Sequence, residues 1–240
     1  MASEVGGSGA VRARRGLIAA PWHTASVLLF FAYMVFTDAH HAQAAVSTAG
    51  LVSRAVIIRG YLLSILFGYG MATWCWAGVQ WRGGTLRDLT GGRWKSWRDV
   101  MVDVAIAIPF WMIWELTARL MHRLVNRVSA ATTPYVAPSG WVEISLWVLV
   151  SLAAGIGEEI IFRGYLQKQF QAATRGVIAA VVLQGLLFGL IHMYQGWKQV
   201  MVIAPLGILY GALAEWRGNL RANMIAHAWS DVFEGWLKFV

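Results

Sequence analysis

Long apolar runs separated by short polar segments constrain the fold of this chain more than any other feature. They lie at about 17–37, 56–79, 101–121, 141–166, 177–195, 199–215 and 222–239. A helix needs roughly 20 residues to cross the hydrocarbon core of a bilayer. The last two runs are short by this measure, so we expect tilted or incomplete spans there. The pattern predicts an all-α, polytopic transmembrane helical bundle of about seven helices.

The composition agrees with a membrane protein and indicates one compact unit. Hydrophobic residues make up 58% of the chain and charged residues 13%, against about 25% charged in soluble domains. Fourteen Trp and 25 Gly fit interfacial aromatics and close helix packing. We divide the chain into a disordered basic tail (1–16), N-terminal transmembrane helices with a basic loop (17–130) and a C-terminal core (140–240).

The positive charge indicates an orientation and argues against nucleic acid binding. The net charge of +8 comes mainly from arginines near helix ends, and arginines scattered between apolar spans make a poor phosphate-binding face. Basic residues in the tail and in the 82–98 loop predict a cytoplasmic N-terminus. The loop that carries Arg119, Arg123 and Arg127 then faces outward, against the usual rule.

Three features lie outside the C-terminal core: two of them have two interpretations each, and the third is expected to be structural. The tail and the first run, followed by Ala42-Gln43-Ala44, also resemble a cleavable signal peptide, but the run is long for one and a retained helix is favoured. Residues 85–89 are either a short interfacial helix, anchored by Trp94 and Trp97, or part of a solvated basic loop. The single cysteine, Cys75, has no basic neighbour in its segment and is expected to be a core residue.

Ionisable residues inside an apolar helix point to a functional site. A charged side chain at the bilayer centre costs about 2.5–3.5 kcal/mol on insertion scales, yet Glu158, Glu159 and Arg163 lie within six residues. Glu159 and Arg163 are four apart, the favourable order for an ion pair. Glu158 is turned by about 100° on an α-helix. The spacing therefore predicts a structural pair beside a carboxylate that remains available as a general base.

Two histidine segments are expected to converge on these carboxylates. If the chain turns near Arg175, Glu158 and His192 are equally far from the turn and lie at the same depth in a helical hairpin. Nearer the C-terminus, His227 and Asp231 are four apart and share a helix face. A carboxylate and an imidazole at matching depth can hold and polarise a water molecule. Glu-Glu-x-x-x-Arg is not the His-Glu-x-x-His of zinc proteases, and nothing around Ser151 or Ser230 favours a serine mechanism.

Together these elements resemble the CPBP family, also called the Abi or CAAX-protease family. Its pattern is Glu-Glu-x-x-x-Arg, then Phe-x-x-x-His, then His-x-x-x-Asn or Asp. In this chain the pattern is matched by Glu158, Glu159, Arg163, Phe188, His192, His227 and Asp231. The resemblance covers about residues 140–240. The three motifs in this order are specific for the family, whereas each motif alone is weak.

The resemblance implies an intramembrane endopeptidase that uses a glutamate-activated water. On that model Glu158 is the general base and His192 positions the water. His227 and Asp231 stabilise the oxyanion, with Glu159 and Arg163 supporting the site. Asp231 departs from the Asn of the prenyl-protein enzyme. An ionised Asp would repel an oxyanion, so Asp231 must be protonated, orient His227, or act through it.

Cofactors and partners follow from the same resemblance. Family members have also been described as metalloproteases, and Glu158, His192 and His227 offer zinc two nitrogens and one oxygen; metal-free hydrolysis uses the same groups and is favoured. We expect membrane lipids and a membrane-associated or lipidated protein or peptide as partners, and a multi-pass location in a bacterial-type cell membrane. A transporter or proton relay, or a non-catalytic binding or immunity protein with the same fold, are the alternatives.

Overall fold

The computed structural model describes residues 16–45, 53–126, 138 and 140–237 and is helical almost throughout. The long helices are α1 (Pro21–Ala45), α2 (Arg54–Gln80), α4 (Trp97–Asn126), α5 (Trp141–Glu158), α7 (Val177–Leu190), α8 (Trp197–Arg217) and α9 (Arg221–Leu237). A short α3 (Leu86–Thr90) precedes α4, and a 3₁₀ turn (Met193–Gln195) precedes α8. The all-α bundle predicted from the apolar runs is confirmed.

The fourth run differs from the prediction of one α-helix. After α5 the chain continues as a π-helix (Glu159–Leu166) and then as α6 (Gln167–Thr174). A π-helix of this length is rare and is most often found at functional sites. Here it coincides with the buried Glu159 and Arg163. The π-helix is only 8 residues long, which is too short for the period of its apolar residues to distinguish it from an α-helix in the sequence.

Four segments of the described part of the chain are long and apolar enough to cross a membrane, as expected of an integral membrane protein. They are Arg54–Gln80, Trp97–Val125, Trp141–Thr174 and Trp197–Arg217, while Pro21–Thr37 and Val177–Leu190 are shorter apolar helices. Helix α1 begins four residues later than expected, at Pro21, because proline fits the first turn of a helix. The predicted tail at 1–16 lies almost wholly outside the described residues.

The apolar core of the bundle consists of two clusters. One cluster joins side chains of α1, α2, α3, the π-helix and α7, and includes Phe31, Phe162 and Phe188. The other joins α4, α8 and α9 around Trp114 and Tyr210. The π-helix that begins at Glu159 is therefore part of the packed core.

Glycines allow the helices that form the site to approach closely. A Cβ atom on Gly155 of α5 would lie 2.7 Å from the backbone nitrogen of Ala228 in α9. A Cβ atom on Gly189 of α7 would lie 2.6 Å from the Cβ of Ala204 in α8. Small residues at helix contacts are typical of membrane bundles. The first contact brings α9 against α5 just ahead of the Glu-Glu segment, and the second closes the α7–α8 hairpin.

The basic loop before α4 contains the short helix that the sequence suggested. Helix α3 begins with a capping box formed by Thr85 and Asp88. Trp94 donates from its indole nitrogen to Asp103 at 2.8 Å, whereas Trp97 is 73% exposed. Asp103 also pairs with Arg217 at 2.9 Å and with Arg221 at 2.8 Å, which fixes the loop against α8 and α9.

Candidate active site

The first charged pair of the site is buried completely and is made within the π-helix. Arg163 donates from Nη1 to Oε1 of Glu159 at 2.9 Å, and neither side chain is exposed. Arg163 also donates from Nη2 to the carbonyl of Gly207 at 3.1 Å. Removing either partner would leave an uncompensated charge among packed side chains. The ion pair predicted from the spacing of these residues is therefore present.

The Glu159 carboxylate has two further partners, both on α9. His227 lies with Nδ1 2.9 Å from Oε1 of Glu159, and Asn223 donates from Nδ2 to Oε2 at 3.1 Å. A carboxylate only accepts hydrogen bonds when it is ionised, so Nδ1 of His227 carries a proton. Glu159 thus binds Arg163 and also fixes a histidine, a second task that the sequence did not suggest.

Glu158 differs from its neighbour in exposure and in contacts. Its side chain is 24% exposed, against 0% for Glu159. Its Oε2 lies 3.7 Å from Nε2 of His227, which is an ionic contact rather than a hydrogen bond. Within the described part of the chain its carboxylate accepts no hydrogen bond. The two adjacent glutamates therefore differ: the Glu159 carboxylate is occupied by hydrogen bonds, whereas the Glu158 carboxylate is available to bind a reactant.

His192 lies just after the end of α7, at the tip of the hairpin that α7 forms with α8. Its Nδ1 lies 2.7 Å from the carbonyl oxygen of Phe188. A carbonyl only accepts, so this nitrogen is the donor, and the neutral ring keeps a lone pair on Nε2. His192 is near enough to Glu158 for a direct electrostatic interaction. The hairpin turn at Thr174, Arg175 and Gly176 brings the two residues together, as expected from their equal distance from the turn.

Asp231 approaches the same histidine nitrogen as Glu158. Its Oδ2 lies 3.8 Å from Nε2 of His227, and its side chain is 30% exposed. Its backbone carbonyl accepts a hydrogen bond from the Trp147 indole at 3.0 Å, which fastens α9 to α5. Three carboxylates therefore surround His227, one at Nδ1 and two near Nε2, and this arrangement favours a positively charged imidazole.

Aromatic rings enclose the charged groups and keep them in place. The Arg163 guanidinium lies 4.3 Å from the ring centroid of Phe188 and 5.1 Å from that of Tyr210, a cation–π arrangement on both sides. The Tyr210 ring also stacks on His227, with centroids 5.0 Å apart and an interplanar angle of 26°. Phe188 contacts the rings of both histidines, at 4.9 Å from His192 and 6.0 Å from His227.

The structure thus brings all six predicted residues to one place and adds others. Asn223 and Tyr210 were not anticipated, nor was the Gly207 carbonyl, which also accepts from Gln184 at 2.9 Å. Asn223 lies one helical turn before His227, and a polar residue at this spacing is a signal that the sequence does contain. Tyr210 carries no such signal, because an aromatic residue in an apolar helix ordinarily indicates packing.

Glu158, His192 and His227 are the groups that the sequence offered as zinc ligands. Among the residues that the structure describes, no three His, Cys, Asp or Glu side chains are arranged to hold a metal ion. Both histidines use Nδ1 for protein hydrogen bonds, which leaves Nε2 of each as its possible ligand atom. Metal dependence stays a prediction for experiment.

Comparison with known families identifies the region that holds this site. Residues 139–233 match the family model described as Rce1-like, type II CAAX prenyl endopeptidase. The matched region, which is less than half of the chain, is similar to CAAX prenyl endopeptidases. The match confirms the resemblance inferred from the three motifs, and residues 1–138 lie outside it. Searches for similar curated proteins and for similar solved structures gave no significant match.

Proposed function

We propose that the protein is an intramembrane endopeptidase whose attacking water is activated by Glu158 and His192. The observation that carries this proposal is the division of the glutamate pair. Glu159 is fully buried and bonded to three donors, whereas Glu158 is partly exposed beside two histidines. Of these two glutamates, Glu158 is the one that has both the accessibility and the unused acceptor capacity that a general base needs.

The positions of the lone pairs support a specific orientation of the water. The Glu158 carboxylate accepts one of its hydrogens, and Nε2 of neutral His192 accepts the other. The water oxygen then directs its own lone pair at the carbonyl carbon of the peptide bond. As the C–O bond forms, one water proton passes to Glu158, and this proton is later delivered to the nitrogen of the leaving amine.

His227 is suited to stabilise the tetrahedral oxyanion. Its Nδ1 donates to Glu159, so it can donate from Nε2 only as the doubly protonated ring. The carboxylates around it favour that charge. Asp231 lies on the Nε2 side, where we assign it to orient and balance His227 rather than to touch the oxyanion itself. Donors preset toward the developing charge are the largest source of catalysis in many hydrolases.

The substrate that we propose is a membrane-associated or lipidated protein or peptide. Its class follows from the position of the site within a bundle whose outer surface is apolar, with exposed residues such as Leu29, Leu66 and Leu116. Such a surface places the site within reach of chains that are themselves anchored in the bilayer. The family name points to prenylated proteins, and the experiment below leaves the substrate open.

The test compares membrane peptides between cells that express the wild-type protein and cells that express Glu158→Gln. The substitution keeps the shape of the side chain and removes the base, so we expect cleavage of a distinct set of peptides to fall by about 10²–10⁴-fold. Glu115→Gln is the matched control, because Glu115 pairs with Arg119 on α4, away from the site. Full cleavage by folded Glu158→Gln would contradict the proposal.

A further inference from the structure

The orientation of His227 is fixed by residues that do not themselves reach the reacting groups. The imidazole has one partner at 2.9 Å, Oε1 of Glu159, and two ionic neighbours beyond hydrogen-bond distance, Glu158 at 3.7 Å and Asp231 at 3.8 Å. A rotation of the ring about its Cβ–Cγ bond would exchange these environments. It would place a carbon where Nδ1 now donates and would turn Nε2 away from the proposed water site.

One face of the imidazole is held by the ring of Tyr210. The two rings lie nearly parallel, 26° apart, with centroids separated by 5.0 Å. The Arg163 guanidinium also lies over the tyrosine ring, with Cζ 5.1 Å from its centroid. Tyr210 is 1% exposed, and its hydroxyl lies 3.3 Å from Oγ of Ser230. The buried tyrosine ring therefore contacts both a buried cation and the histidine.

The acceptor of the His227 hydrogen bond is held by Asn223. The asparagine amide donates to Oε2 of Glu159 at 3.1 Å and to the carbonyl of Tyr210 at 2.8 Å. Both amide hydrogens are thereby used. Asn223 is fully buried, so the carboxylate cannot turn without losing this bond. Asn223 thus links Glu159, which orients His227 by a hydrogen bond, to Tyr210, which orients His227 by ring stacking.

We propose that Tyr210 and Asn223 are positioning residues that hold His227 with Nδ1 on Glu159 and Nε2 toward Glu158 and Asp231. This inference rests on the proposed function for its catalytic consequence, although the orientation of the ring is measurable without activity. Neither residue touches Glu158 or His192 in the contacts described above. Their effect on catalysis passes through His227, and a misplacement of about 1 Å at a reacting group can cost about 100-fold in rate.

Two substitutions separate the ring of Tyr210 from its hydroxyl. Tyr210→Leu removes the aromatic ring that stacks on His227. We expect kcat to fall about 100-fold and KM to change less than about twofold, since substrate-binding surfaces are retained. Tyr210→Phe keeps the ring and loses only the contact with Ser230, so it should recover most of that loss. Tyr69→Leu is the matched control, because Tyr69 of α2 is 44% exposed and outside the site.

The second measurement follows the histidine directly. Nitrogen-15 spectra of ¹⁵N-histidine-labelled protein, with His227 assigned by loss of its signals in His227→Gln, report which ring nitrogen carries the proton. Wild-type protein should keep the proton on Nδ1 of His227 across the titration. Tyr210→Leu and Asn223→Leu should show a mixture of the two neutral forms when the ring loses its charge, because one of the two restraints is gone.

The activity and the His227 spectrum of the variants decide between the possible outcomes. A folded Tyr210→Leu with wild-type kcat and an unchanged His227 spectrum would overturn the proposal. If Tyr210→Leu does not fold, Asn223→Leu decides by the same two measurements. If the wild-type protein cleaves nothing, the proposed function fails, while the spectra still decide whether Tyr210 and Asn223 position His227. A loss of activity that Tyr210→Phe does not recover would also contradict the assigned role of the ring.

Discussion

Removal of one member of the Glu159–Arg163 pair should destabilise the protein far more than removal of both. Arg163→Met leaves the Glu159 carboxylate at 0% exposure without its cation. Breaking a buried pair in this way costs about 3–5 kcal/mol. For a chain of this size a loss of 1 kcal/mol lowers the melting temperature by about 2–4 °C. We therefore expect a decrease of about 6–20 °C on the same scaling.

The double variant Glu159→Gln/Arg163→Met should recover most of this stability. Replacing a buried pair by neutral residues of similar volume is often neutral or even favourable. The carbonyl oxygen of a glutamine at position 159 can still accept from Nδ1 of His227. The recovery should be confined to stability, because the charge that faces His227 is lost and catalysis should remain impaired.

The chain contains its own control, an ion pair of the same spacing on α4. Arg119 and Glu115 are also four residues apart, at 3.3 Å, but the arginine side chain is 68% exposed. Exposed helix pairs contribute about 0.3–0.5 kcal/mol, so Arg119→Met should shift the melting temperature by no more than about 2 °C. The assay is thermal unfolding in detergent, followed by tryptophan fluorescence. Equal shifts for Arg163→Met and Arg119→Met, or no recovery in the double variant, would refute the argument.

Three further predictions concern packing, Asp231 and metal. Gly155→Ala should destabilise the protein in the same unfolding assay, because the added Cβ would lie 2.7 Å from the backbone nitrogen of Ala228. Gly70→Ala is the control: a Cβ there would meet nothing within 4 Å, so this variant should be neutral or slightly stabilised. Asp231→Asn should retain at least about a tenth of the wild-type kcat if Asp231 only orients His227; a loss near 100-fold would assign it a direct role. Activity of metal-free protein should survive a chelator, and its disappearance with recovery on adding zinc would establish a metal enzyme.

The sequence predicted which residues form the site better than it predicted the hydrogen bonds and ring contacts between them. The cost of charge in an apolar helix singled out Glu158, Glu159 and Arg163, and helical spacing paired the last two correctly. Spacing also placed His192 at the depth of Glu158, because the two residues are equally far from the turn near Arg175. Each of these inferences uses local geometry, which a single sequence contains.

The partners across helices were not predictable in the same way. The bond between Glu159 and His227 depends on the rotation of α9 about its axis, which Gly155 and Ala228 set through their close contact. The role of Tyr210 depends on the packing of α8 against two other helices. The sequence also predicted one continuous α-helix where a π-helix is found. For Glu159–His227 and for Tyr210 the missing information is the relative rotation of packed helices, which apolar periodicity does not determine. For the π-helix it is the local hydrogen-bond pattern of a segment only 8 residues long.

The π-helix also determines how substitutions and deletions in this segment should be interpreted. A π turn accommodates one more residue than an α turn over the same rise. Loss of a single residue between Glu159 and Leu166 would therefore return a π turn to an α turn, and the helix beyond it would nearly keep its rotation relative to α5. The same loss from an α-helical segment would turn everything beyond it by about 100°. Gln169, which accepts hydrogen bonds from the backbone nitrogens of Ile18 and Ala19 ahead of α1, would then still face them. The π-helix is therefore expected to tolerate a one-residue deletion that an α-helix at this position would not.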